Sequence, residues 1–287
     1  YQRNQFRYGQ TLAAQKSGVP LAKAYVATGP AAYPKAEAAL RATLESPLIT
    51  PEAEEFREAL FELAQLYYRT GRFEDAVQRL TELTDRYPRD DRAGQTAFLM
   101  ADSYRKSAQL LAADTKPAAS AADDPMAVAR QVAARAEAAA ARQDRLFKAR
   151  RLYDRAIDRY RAAGVAEAAA ANGSAAAVPD LDKLYLKLAY FYRADCAYDA
   201  GRFDEAVGLY DQAALKYRDD PSALTAYVQI VNAYAALGRR DEARAANERA
   251  QWLLKRMPAD AFREARLTMP QKSWEDWMAW SKSAGLW

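Results

Sequence analysis

Apolar residues recur along this chain at helical rather than strand spacing. Leu60, Leu63, Ala64 and Tyr67 fall at i, i+3, i+4 and i+7, one stripe of an α-helix. Gly71 comes shortly after, where a helix end wants a residue that tolerates positive φ. Phe73, Ala76, Val77, Leu80 and Leu83 then resume the helical period. Glu74 and Asp75 sit in that helix's first turn, where the macrodipole favours acids. Tyr87-Pro88 ends the second stripe. The pattern predicts a helix, a tight turn and a second helix.

The same pattern returns. Gly71-Arg72-Phe73-Glu74-Asp75-Ala76-Val77 recurs as Gly201-Arg202-Phe203-Asp204-Glu205-Ala206-Val207. At the same offset Phe61 matches Phe191, Tyr68 matches Tyr198, and Tyr87 matches Tyr217. A weaker copy starts at Gly238. A degenerate one runs through Met100-Ala101-Asp102-Ser103-Tyr104. Its second helix is delayed to the stripe Ala149, Tyr153 and Ala156. An N-terminal pair is expected over Val19–Thr28 and Pro34–Glu45. A unit that cannot bury both of its faces alone must stack on its neighbours, so the copies predict a helical array.

Composition agrees. Of 287 residues, 67 are alanine, the best helix former, against 11 glycines and 12 prolines. The absence of histidine excludes a Ser-His-Asp triad, a Cys-His pair and an HExxH zinc site within this chain. Cys196, the one cysteine, excludes an internal disulfide and a CxxC site, and is expected as a small core residue. No phosphate-binding glycine loop, dinucleotide fingerprint or EF-hand loop occurs, so no cofactor is expected. No apolar run is long enough to span a membrane. The start, YQRNQFRYGQ, lacks both an initiator Met and an apolar signal core. It is expected to reflect a processed protein or a fragment.

These residues resemble the tetratricopeptide repeat (TPR) family. The matches are Ala64, Tyr67, Gly71, Phe73, Ala76, Leu80 and Pro88 in the first clear copy. In the second they are Ala194, Gly201, Phe203, Ala206, Tyr210 and Ala213, with Arg218 at the proline's place. The third keeps Tyr227, Tyr234, Gly238, Ala243 and Ala250 but has Arg240 for the turn aromatic. The resemblance covers Val19 to Met257. It implies an all-α, right-handed α-α superhelix of about five helix pairs, with an insertion and a C-terminal capping helix. The long ends of the second helices are similar to those of bacterial cell-envelope TPR proteins, which implies the periplasm or cell envelope.

The expected organisation is an N-terminal block, 1–163, with pairs at about 19–46, 52–88 and 92–163, the last carrying an insertion over 113–143. An alanine- and glycine-containing linker, 164–180, comes next, with a sequon-like Asn172-Gly173-Ser174. A C-terminal block, 181–257, and a Trp-rich capping helix, 258–287, complete the chain. Ser273 is expected as that helix's N-cap, and Trp252 is expected beneath it. Residues 126–163 read as one long helix. Ten basic and four acidic residues lie between Arg130 and Arg161, first a solvated arginine face and, in the sharper reading, a nucleic-acid surface.

In the family, first helices line a concave groove that receives partner peptides or helices. Carried over, the groove residues are Phe61, Gln65, Tyr68, Arg69, Phe98, Asp102, Arg105, Lys106, Phe191, Asp195, Tyr198, Asp199, Val228 and Asn232. Three recurrent phenylalanines predict an aromatic floor with polar walls; the bland alternative is that they pack between neighbouring first helices. Chaperone-binding TPRs clamp a carboxylate with Lys at positions that here carry Phe or Val, so an extended or helical protein segment is the expected partner. The expectation is a non-catalytic scaffold, a region of a larger bacterial protein. Two alternatives stay open: a helical accessory region of an enzyme, and an RNA-binding α-solenoid using 130–161. Self-association also stays open.

Overall fold

The computed structural model describes residues 11–113, 125–170, 180–264 and 269–283, and among them there is no strand. Residues 1–10, 114–124, 171–179, with Asn172-Gly173-Ser174, 265–268 and 284–287 lie outside the described residues. The helices are α1 (Leu12–Lys16), α2 (Gly18–Thr28), α3 (Tyr33–Leu44), α4 (Glu54–Arg69), α5 (Phe73–Arg86) and α6 (Ala93–Ala113). Then come α7 (Pro125–Ala170), α8 (Asp180–Asp199), α9 (Phe203–Lys216), α10 (Ser222–Ala236), α11 (Arg240–Arg256), α12 (Ala259–Glu264) and α13 (Gln271–Ser283).

One turn is built three times. Gly71, Gly201 and Gly238 have φ of 77°, 73° and 73°. At each, the N–H of the following arginine donates to a carbonyl five residues back: Arg72 to Tyr67, Arg202 to Ala197 and Arg239 to Tyr234, all at 2.9 Å. This is the glycine-terminated helix end that satisfies otherwise orphaned carbonyls. The same arginine then pairs with an acid in the next helix's first turn: Asp75 at 2.7 Å, Glu205 at 3.3 Å and Glu242 at 2.9 Å. Arg72 and Arg239 also reach back to the preceding pair, to Glu37 at 2.9 Å and to Asp204 at 2.6 Å. GR-x-x-[DE] thus fixes the hairpin turn in all three copies, and in the copies at Gly71 and Gly238 it also ties the turn to its neighbour.

A second device starts the first helices. Asp90 and Asp220 accept the N–H of Arg92 and Ser222, two residues on, at 2.7 and 2.9 Å. Each also takes a cation from the preceding first helix, Arg57 at 3.6 Å and Lys187 at 2.8 Å. The residues that lengthen this repeat therefore form a capped, ion-paired corner.

The structure falls into two compact units, Tyr1–Arg145 and Leu146–Trp287. In the first, α2 packs on α3, α3 on α4, α4 on α5 and α5 on α6, while α4 also touches α2 and α6. Leu40, Leu60, Leu63 and Leu80 are fully enclosed, each contributing about 2 kcal/mol by area. Ala36, Ala59, Ala64 and Ala76 have no exposure, so the helices approach closely. In the second unit, α7 buries Leu146, Ala149, Tyr153, Ala156 and Ile157 along one stripe. Tyr153 meets Tyr192 of α8 edge-on at 6.0 Å, and Asp154 accepts from Arg193 at 2.9 Å. Then α8, α9, α10 and α11 pack in sequence, and α13 closes on α11.

Four details differ from expectation. The long helix continues to Ala170, into the stretch expected as linker, because its alanines carry the helix on. The two units divide within α7 rather than at 164–180. The capping helix starts at Gln271, after Pro270, not at Ser273. Trp274 is its buried anchor, packed with Leu224, Leu254, Met257 and Met278, and Trp277 lies edge-on to it. Trp252 is not beneath this helix; it is 59% exposed. Cys196 is buried, as expected of a small core residue.

Candidate partner-binding face

Helix α4 is surrounded on most sides. Its buried set, Phe56, Ala59, Leu60, Phe61, Leu63, Ala64, Leu66 and Tyr67, leaves the opposite side to solvent; Glu58, Glu62, Gln65 and Arg69 run along its middle, flanked by Glu54, Glu55, Arg57 and Tyr68. The middle four recur at i, i+4, i+7 and i+11, one helical face. From α2, Lys23 reaches Glu58 at 3.4 Å and Glu62 at 3.1 Å. From the α6 side, Arg92 holds Glu58 at 2.6 Å. Lys23 rises above its ordinary pKa: burial lowers it, and Glu62 and Glu58 together outweigh that.

Beside the stripe lies Asp102, 2% exposed on α6. It accepts from the Tyr68 hydroxyl, from Arg105 at 2.6 Å, and faces Lys106 at 3.6 Å. Burial pushes the Asp102 carboxyl up, but the Arg105 guanidinium, the Tyr68 hydroxyl and the Lys106 ammonium together hold it below the usual carboxylate range. The Lys106 ammonium lies 4.4 Å from the centre of the Tyr68 ring. This face offers rows of paired charges, and its exposed groups can exchange partners without opening the core.

The aromatic floor is not exposed. Phe61 and Phe98 are each 3% exposed and Phe191 9%. Arg92 covers the Phe61 ring at 4.4 Å, and Phe191 lies against Tyr217 at 5.9 Å. These phenylalanines are interior packing, because the first helices sit close enough to enclose a ring. Of the other expected residues, Tyr68, Asp102, Arg105 and Lys106 come together in the first unit, and Gln65 and Arg69 lie on the solvent side of α4. In the second unit, Asp195 is half-buried and accepts from the Tyr210 hydroxyl at 2.5 Å. Tyr198 stacks edge-on to Phe203 at 5.2 Å. Val228 and Asn232 are half-buried on α10, where Asn232 donates to Gln229 at 3.2 Å.

Residues Glu58, Glu62 and Lys23 were missed by reading the sequence. Their signal was the charged i, i+4 pair on the one face of α4 free of apolar residues. The basic run of α7 is partly consumed. Arg145 pairs with Glu74 at 3.0 Å and donates to the Ser107 carbonyl at 3.2 Å in the first unit. Arg150 pairs with Glu205 at 2.8 Å and Arg161 donates to the Tyr190 hydroxyl in the second. No group of histidine, cysteine or acidic residues among the described residues is placed to hold a metal ion. No described helix is long and apolar enough to cross a membrane.

Comparison with known proteins agrees with the local geometry. The tetratricopeptide repeat family model matches residues 58–90 and 188–220. No curated protein matches the chain in sequence. Among solved structures, the chain is similar to MamA of strain MSR-1, with 17% identity, 84% of this chain and 95% of that chain covered, and a TM-score of 0.43. It is also similar to a thermophilic TPR protein of Thermus thermophilus, TTC0263, with 17% identity, 85% and 93% covered, and a TM-score of 0.36. BtubC from P. vanneervenii gives 15% identity, 93% and 92% covered, and a TM-score of 0.44. The two matched segments are tetratricopeptide repeats, each a first helix, the glycine turn and a second helix.

Proposed function

We propose that this chain is a non-catalytic TPR scaffold whose first unit receives a segment of another protein on the α2, α4 and α6 face. The carrying observation is the stripe Glu58, Glu62, Gln65 and Arg69, which runs along the middle of the side of α4 that packing leaves reachable. Glu58 and Glu62 are paired within the fold to Lys23 and Arg92 and Arg69 is exposed, so a partner bearing both signs can exchange with those pairs at little desolvation cost. An extended or helical segment fits a face one helix wide and several turns long. The nucleic-acid reading is weaker, since Arg145, Arg150 and Arg161 are already engaged inside their units. A periplasmic or cell-envelope location belongs to the same proposal, and cell fractionation checks it.

Site-specific photo-crosslinking in the native cell tests the face. A photoreactive residue is placed at Gln65, at Arg69 or, as the control, at exposed Gln78 on α5. Crosslinks to one protein from 65 and 69 but not from 78 are expected. Equal crosslinking from all three, or none from 65 and 69, defeats the proposal.

A further inference from the structure

A cleft of about 680 Å³ opens in the second unit between α9 and α11, over α10. It belongs to the second helices of two consecutive pairs and shares no residue with the α4 face. Its wall carries two large apolar side chains that packing does not use. Leu215 is 70% exposed and Trp252 59%. Both stand fourteen residues after their turn glycines, Gly201 and Gly238. The equivalent position after Gly71 is Asp85, exposed and charged. The repeat therefore has no structural need for an apolar residue there, yet two neighbouring copies place one each on the same cleft.

The rim is cationic. Arg218, Arg249 and Arg256 line it. Arg249 occupies the place held by Glu82 after Gly71 and Gln212 after Gly201. Among the described residues, neither Arg249 nor Arg256 has a carboxylate within ion-pair distance. Arg256 instead stacks on Trp252, 4.6 Å from the ring centre. Asp219 is the one acid on the rim; it reaches Arg218 at 3.6 Å, and both are largely exposed, so that pair is weak. Charge at helix C-termini explains Arg218 and Arg256 in part. It does not explain Arg249, which lies earlier in α11, nor the two exposed apolar groups.

We infer that this cleft is a docking site for an acidic protein segment that inserts an apolar anchor against Leu215 and Trp252. Its carboxylates pair with Arg249 and Arg256. Tryptophan and arginine around a concavity are the residue types that concentrate binding energy. The cleft's apolar lining is mostly aliphatic, with Trp252 exposed on the wall and Tyr227 half-buried, which suits a Leu or Phe anchor better than a succession of stacked bases.

The test is selection of a random dodecapeptide library on the whole chain, followed by anisotropy titration of fluorescein-labelled winners. Selected peptides should combine Asp or Glu with a large apolar residue. Their affinity should fall at least about tenfold on Trp252→Ala, on Leu215→Glu and on Arg249→Glu, and should weaken with salt. All three positions are exposed, and an unchanged circular dichroism spectrum confirms that each variant is folded. Winners that are basic or purely apolar, or whose binding the three variants leave unchanged, overturn the inference. So does a fluorescein-labelled uridine dodecamer whose binding Trp252→Ala abolishes, which makes the cleft a nucleic-acid site. A dimer in sedimentation that Trp252→Ala converts to monomer also overturns it, because a second copy then fills the cleft.

Discussion

The Tyr68 hydroxyl donates to the Asp102 carboxylate and ties α4 to α6 across the seam between two helix pairs. Asp102 also holds Arg105, whose side chain is only 11% exposed. Removing the carboxylate takes an ion-pair partner from a mostly enclosed guanidinium and an acceptor from a phenol at once. Asp102→Ala is expected to cost about 2–4 kcal/mol in denaturant unfolding. Tyr68→Phe keeps the ion pair and should cost about 1 kcal/mol. Equal effects of the two would show that the ion pair contributes nothing.

Acid should loosen the same corner. Asp102, and Asp90 at the start of α6, both titrate below the ordinary carboxylate value in the folded chain. For Asp90, burial works against this and is outweighed by Arg92, through its side-chain and backbone hydrogen bonds and its charge. A carboxyl lowered on folding adds stability that is fully present above its unfolded pKa, about 4. That stability is lost as pH falls through the folded value. Melting temperature should therefore hold steady from pH 7 to about 5 and fall below about 4. Asp102→Asn, already weaker at neutral pH, should show a shallower acid fall. An identical slope in wild type and variant would remove Asp102 from the acid response.

Phe61 separates packing from recognition. Enclosed beneath Arg92, it should cost about 3–5 kcal/mol when replaced by alanine. Gln65→Ala, half-exposed on the same helix, should change stability by less than about 0.5 kcal/mol. Thermal melts of both variants check this. A partner lost on Phe61→Ala alone would then report a damaged fold rather than a missing contact.

The hairpins were legible in the sequence because their information is local. Period, turn glycine and first-turn acids lie within one helix pair, and Gly71, Gly201 and Gly238 all adopt the positive φ their position implied. Ala149, Tyr153 and Ala156 were found by spacing alone and are fully buried. The face was harder to read, since an aromatic at a groove position looks the same whether it points out or is covered. Only the approach of α2 and α6 to α4 decides that Phe61 is enclosed and Gln65 is not. Trp252 failed for the same reason: its helix was predicted correctly, but which face of α11 meets α13 is set by how the two helices approach, and Leu254 rather than Trp252 joins the cluster around Trp274.

Two glycines should respond in opposite directions. Gly71 has φ of 77°, and a methyl added there meets nothing within 4 Å. Gly71→Ala therefore pays only for the left-handed backbone, about 1 kcal/mol, and Gly71→Asn should cost less. Gly208 lies inside α9, is exposed, and also has open space around an added methyl. Gly208→Ala should stabilise by about 0.5–1 kcal/mol through helix propensity. Chemical denaturation of both variants checks the pair, and a loss at Gly208 would contradict its placement on an open helix face.

Gly18 makes the opposite case, in which space and not conformation is limiting. A methyl there would clash with Thr43 Oγ1, where α2 crosses α3. Thr43 is 1% exposed and its hydroxyl donates to the Ala39 carbonyl at 3.0 Å, so it cannot swing out of the way freely. Gly18→Ala should cost about 1–3 kcal/mol despite alanine's better helix propensity. Thr43→Ala alone loses a buried hydrogen bond and leaves a small void, about 1–2 kcal/mol. In the double variant the new methyl occupies the space vacated by the hydroxyl. The two changes should then cost less together than their sum, with a coupling of about 1 kcal/mol or more. Strict additivity in the double-mutant cycle would mean that α2 and α3 do not meet at this crossing.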